Sequence, residues 1–172
     1  SRGLGYVYNR QTVNLFVPYS HSQTESTNHS KTTGVSVIIP TYKPPTLLLD
    51  LVKRLSKNTA VNKVVVVNDA TPNPWETPLE TVKYWSQKPD SNIVLVNSEE
   101  NMKRAGALNL GITYLQERDI LSDFILILDD DVQMHPEAIQ EMVDHLQRAE
   151  HLGAVCTQAR VLNLSLIHIS EP

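Results

Sequence analysis

Four short aliphatic runs recur after residue 34: VSVII (35–39), KVVVV (63–67), NIVLV (92–96) and FILIL (124–128). Each is continuous rather than alternating, the pattern of strands covered on both faces by helices. Between the runs the apolar period lengthens to that of a helix. Leu48, Leu51, Val52 and Leu55 recur at i, i+3, i+4 and i+7, and Leu108, Ile112 and Leu115 follow the same stripe. A third stripe, Ile139, Met142, Val143 and Leu146, follows Pro136, a residue suited to a first helical turn. A less regular helix is expected over 76–87, with Pro78 in its first turn, and a fifth strand within GAVCTQARV (153–161). Strand and helix alternate throughout, which predicts an α/β fold: a mostly parallel, doubly wound sheet with right-handed crossovers.

This rhythm occupies residues 35–162 and divides the chain. Residues 1–34 are rich in Ser, Thr, Asn and His, with one apolar patch, VNLFV (13–17), and are expected to form a polar leader, partly disordered. Asn28-His29-Ser30 fits a glycosylation sequon, a triplet common by chance. Residues 163–172 include SLIHISEP, which resembles the translated read-through of a sequencing-library adapter. They are expected to be non-native or disordered; the competing reading is an amphipathic strand of Leu164, Leu166, Ile167 and Ile169.

Composition narrows the class. The 172 residues are 41% hydrophobic and 20% charged, enough to bury one core. A net charge of −4 with scattered Lys and Arg excludes a nucleic-acid footprint. No apolar run approaches the roughly 20 residues of a membrane span, so no transmembrane segment is expected, and the first residues lack a signal-peptide pattern. The single cysteine, Cys156, rules out an intrachain disulfide framework, and its small apolar neighbours predict burial.

In open sheets of this kind ligands bind beyond the carboxyl ends of the strands. The four tails here are PTYKPP, NDATPNP, NSEENMKRAGALN and DDDVQMHP. An aspartate such as Asp69 at a strand tip is more often a turn or capping residue than a ligand contact, by about two to one. Asp129, Asp130 and Asp131 are a stronger signal, because a helix cap needs one acid and adjacent carboxylates repel unless a cation or water takes up their charge. Hard cations such as Mn2+ or Mg2+ take carboxylate oxygens, usually with phosphate and water.

Taken in order, VSVIIPTYK, VVVVNDAT, NMKRAGALNLGI and FILILDDDV with its following Pro136 resemble the nucleotide-sugar-binding part of family 2 glycosyltransferases. That resemblance implies a three-layer α/β/α, Rossmann-like GT-A fold with the four runs ordered 3-2-1-4. It implies that Pro40, Thr41 and Tyr42 lie against the nucleoside and that Asp69 hydrogen-bonds the base. Arg104 would approach the base or diphosphate, although the family often has Gly where Met102 or Lys103 stands here. Asp129 and Asp131 match the DxD motif. Asp131 is the first choice as ligand of Mn2+ or Mg2+, Asp129 is a second, and Asp130 is a candidate for ribose or metal contact. The implied partners are a nucleotide-diphospho-sugar donor, of UDP type as the commonest in the family, and a saccharide or lipid-linked acceptor, with inversion at the sugar. The implied location is cytoplasmic, extending to the cytoplasmic membrane face, where such donors are made.

Inverting members take a carboxylate base from an acceptor half well downstream of DxD. A helix and strand over 132–162 leave no candidate for it, so the catalytic base is unknown. Glu141 and Asp144 are expected on a solvated helix surface, His135, His145 and His151 lack metal-ligand spacing, and Trp75 and Trp85 are expected to pack rather than hold sugar. Three rival readings compete with this one. A receiver-like Mg2+-binding signalling domain explains the acidic triplet but needs a later Lys, and none follows Lys103. A nucleotidyltransferase needs a Gly-rich loop after the first strand, which PTYKPP lacks. A non-catalytic nucleotide-sugar-binding module would share the donor site without the transfer.

Overall fold

The computed structural model describes residues 13–16, 34–148 and 154–157. Its elements are β1 (Val13–Phe16), β2 (Val35–Thr41), α1 (Leu47–Leu55), β3 (Val61–Asn68), α2 (Thr77–Ser86), β4 (Ile93–Asn97), α3 (Lys103–Glu117), β5 (Phe124–Ile127), α4 (Ala138–Arg148) and β6 (Ala154–Thr157). They build one six-stranded sheet in the order β4-β3-β2-β5-β1-β6. The parallel part, β4-β3-β2-β5, is the order 3-2-1-4 expected for the four aliphatic runs.

Helices cover both faces of those strands, which is why the runs are apolar throughout. Val35, Val37 and Ile39 of β2 face a core shared with Leu48, Leu51, Val52 and Leu55 of α1, Leu79 and Val82 of α2, and Ile139, Met142, Val143 and Leu146 of α4. Ile38, Val65 and Val67 face the other way, into a second core with Ala107 and Leu115 of α3. Burying each such side chain contributes about 1.5–3 kcal/mol relative to exposure, so these faces specify strand register as well as stability.

Four details depart from expectation. The buried ridge of α3 is Ala107, Gly111 and Leu115, while Leu108 and Ile112 are only partly buried beside it. The small residues let the helix approach the sheet: a Cβ on Gly111 would lie 2.8 Å from Ile38 Cγ2. Second, α4 begins at Ala138, and Pro136 lies in the turn before it, where its carbonyl accepts a hydrogen bond from Asn58 Nδ2 at 3.0 Å. Third, Trp75 is 48% exposed rather than packed, whereas Trp85 does pack against the larger core.

The fourth concerns the sheet edge. The apolar patch assigned to the leader supplies β1, which runs antiparallel between β5 and β6. The fifth strand, β6, therefore pairs antiparallel with β1 instead of extending the parallel set. Residues 1–12 and 17–33 of the leader, the tail 163–172, His151 and the side chain of Cys156 lie outside the described residues.

Candidate functional site

Hydrogen bonding at the strand tips gathers four chain segments at one end of the sheet. The pairing of β2 with β5 continues past the strand through Leu128 N–H to Ile38 C=O at 3.1 Å, which carries Asp129 and Asp130 alongside Pro40 and Thr41. On the other side of β2, Asp69 N–H donates to Thr41 C=O at 2.9 Å. Past Asn68 the chain turns sharply. Asn68 Oδ1 accepts the Thr71 N–H at 2.9 Å, an Asx-type turn, and Ala70 between them has φ 55°. The acidic triplet occupies a turn of its own, closed by Val132 N–H to Asp129 C=O at 3.4 Å.

Side chains then link the tips. Asp69, only 4% exposed, accepts the Met102 N–H at 2.6 Å and so ties the end of β3 to the start of α3. Thr41, 3% exposed, donates its hydroxyl to Asp130 Oδ2 at 2.5 Å. Arg104, on the first turn of α3, pairs with Asp129 through Nη1 and Oδ1. Pro40, Thr41, Tyr42, Lys43, Asp69, Arg104, Asp129 and Asp130 together line a cleft of about 290 Å³.

Burial pushes the Asp130 carboxyl above the usual carboxylate range; the Thr41 hydrogen bond lowers it in part, and the neighbouring Asp131 raises it again. The first turn of α3 has no acidic residue and carries Lys103 and Arg104. Cations at the positive end of a helix are unfavourable by some tenths of a kcal/mol each, but that end suits an incoming anion.

Among the described residues no three His, Cys, Asp or Glu side chains form a metal cage. The donor set therefore fits Mn2+ or Mg2+ only as a shared site, in which one or two carboxylates are completed by substrate phosphate and water. Asp129 and Asp130 line the cleft, and Asp131 neighbours Asp130 without lining it.

All seven expected nucleotide contacts thus line one cleft: Pro40, Thr41, Tyr42, Asp69, Arg104, Asp129 and Asp130. Lys43, not among the expected contacts, also lines the cleft, with its ammonium 5.5 Å from the Tyr42 ring centre; its place directly after PTY is the signal in the sequence. His135 is exposed beside Glu137, and Asp144 pairs with Arg148 along α4, both as expected of surface groups.

Residues 36–163 match the sequence profile described as Glycosyl transferase family 2. The chain belongs to that family. Its poly-beta-1,6-N-acetyl-D-glucosamine synthase relative from Staphylococcus aureus (strain COL) is 22% identical over 152 residues, covering 88% of this chain and 34% of that protein. The Staphylococcus epidermidis synthase of the same name is 23% identical over 87% of this chain. The chain thus spans about a third of the length of these curated relatives.

Solved structures agree on the fold. A mannosyltransferase from Pyrobaculum calidifontis, in complex with GDP-Man and Mn2+, aligns with TM-score 0.50 at 24% identity, covering 65% of this chain and 32% of that one. A 4-diphosphocytidyl-2C-methyl-D-erythritol synthase aligns with TM-score 0.55 at 17% identity, covering 69% and 56%. Family 2 membership removes the receiver-like alternative. No helix among the described residues is long and apolar enough to cross a membrane.

Proposed function

We propose that this chain forms the donor site of a glycosyltransferase that moves a sugar from a nucleotide-diphospho-sugar to a saccharide or lipid-linked acceptor. The observation that carries the reading is the single cleft in which the tips of β2, β3 and β5 meet the basic first turn of α3. Tyr42, 40% exposed, offers an aromatic face to a nucleoside, and Asp69 offers a carboxylate to the base. Arg104 and Lys43 are cations within reach of a diphosphate. Asp131 and Asp129 are the proposed ligands of Mn2+ or Mg2+. Such a cation, when bound, neutralises charge developing on the leaving diphosphate. It also offsets the repulsion within the acidic turn.

UDP is the favoured nucleotide, with GDP the specific alternative because the Pyrobaculum neighbour was solved with GDP-Man. The staphylococcal synthases are named for a polysaccharide product, which supports a saccharide acceptor. Transfer with inversion and work on the cytoplasmic side, where such donors are made, complete the proposal; the base that deprotonates the acceptor is assigned to no residue here.

Asp131→Ala and Asp129→Ala test the role of the triplet. Each should weaken metal-dependent nucleotide binding by about tenfold or more, the scale of a lost charged contact. If neither substitution changed that affinity, the metal-ligand role given to Asp131 and Asp129 would be wrong.

A further inference from the structure

We infer that Arg104 couples metal binding to diphosphate binding by exchanging its partner, Asp129 for the diphosphate. This inference rests on the donor-site reading above and adds to it a mechanism of cooperativity. Asp129 is both a cleft residue and the partner of the Arg104 guanidinium. A divalent cation taking the same carboxylate oxygen would meet a positive charge already in place, so the two compete. Asp130 cannot stand in without cost, because its Oδ2 already accepts the Thr41 hydroxyl at 2.5 Å.

The pair is built to part. Its side chains are 49% exposed for Arg104 and 23% for Asp129, so the guanidinium can leave without being stranded in the core. It sits on the first turn of α3, at the positive helix end beside the cleft, and its planar fork matches two diphosphate oxygens. Metal alone must displace Arg104 from Asp129 with no new anion to receive it. Nucleotide alone must compete with Asp129 for the guanidinium. When both arrive, the metal takes the carboxylate, the diphosphate takes the guanidinium, and each charge is matched. Each ligand then tightens the other by the same factor, as linkage requires.

Calorimetric titration of the full chain tests this with Mn2+ alone, with UDP or GDP in EDTA, and with both together. R104Q should bind Mn2+ alone about threefold more tightly, the scale of one partly exposed ion pair. The factor by which nucleotide tightens Mn2+ should at the same time shrink by about tenfold, within the usual range of coupling energies. A second arm does not rely on that variant alone. In EDTA, D129N should raise nucleotide affinity, and the gain should be lost when R104Q is added. If R104Q leaves the Mn2+ affinity and the coupling factor unchanged while the wild-type chain still binds nucleotide with Mn2+, the exchange is wrong and the donor site stands. If the wild-type chain binds neither nucleotide with Mn2+, the donor reading fails and takes the exchange with it.

Discussion

Lys103 opens α3 with φ 63°, a left-handed conformation that costs a residue with a Cβ roughly 1–2 kcal/mol. Only glycine adopts that angle freely. Lys103→Gly should therefore stabilise the chain by about 0.5–1 kcal/mol in urea unfolding, since relieved strain outweighs the added chain entropy. A loss of stability would mean that the lysine makes a compensating contact. Neither Lys103 nor Ala70 betrays its positive φ in the sequence, because neither is Gly or Asn. Both flank the cleft, while the other two described non-glycine residues with positive φ, Asp90 and Asp119, lie in turns away from it.

Asp130 carries a different tension. Its carboxyl is held above the usual range by burial, so its ionisation works against the folded state. A raised folded-state pKa stabilises at low pH, and that contribution is lost as pH rises through it. D130N keeps an oxygen for the Thr41 hydroxyl and has no charge to bury. In EDTA at pH 7 it should melt at a higher temperature than the wild type, and the gap should close as the pH falls towards about 4. A lower melting temperature for D130N at pH 7 would show that the interactions of the charged carboxylate outweigh its burial. The triplet stood out in the sequence because three like charges needed an explanation; which of these half-buried carboxyls is pushed up depended on the turn geometry.

At the scale of elements, α3 shows how close packing positions chemistry. Gly111 rests against Ile38 and Val67, and this approach holds the helix start where Asp69 can cap the Met102 N–H. A Cβ at Gly111 would meet two branched side chains in the core, so Gly111→Ala should cost about 1–3 kcal/mol by overpacking. Chemical denaturation measures this directly; an unchanged midpoint would mean that the helix can slide at no cost. The helical period of α1 and α4 was legible because large aliphatics mark their buried faces. That of α3 was read one step off, since its tightest contacts are made by Ala107 and Gly111, residues that hydrophobicity counts pass over. The strand β1 was missed for a related reason: four residues within a polar segment show no period, and only pairing with β5 and β6 makes a strand of them.

For the molecule as a whole, continuous aliphatic runs announced the parallel sheet, and their polar tails marked the end where the candidate cleft lies. The order β4-β3-β2-β5 then brings three tails and a helix start, far apart in sequence, to one cleft. Contacts between tails, such as Thr41 with Asp130 and Arg104 with Asp129, could not be read in advance, because they depend on how far each chain runs past its strand. The cleft is proposed to take a nucleoside diphosphate together with a divalent cation. Calorimetric titration of UDP and GDP into the full chain, once with Mn2+ and once with EDTA, tests it most directly. At least one nucleotide should bind with Mn2+ and lose that binding in EDTA; no heat from either nucleotide in a chain that melts cooperatively would overturn the donor-site reading.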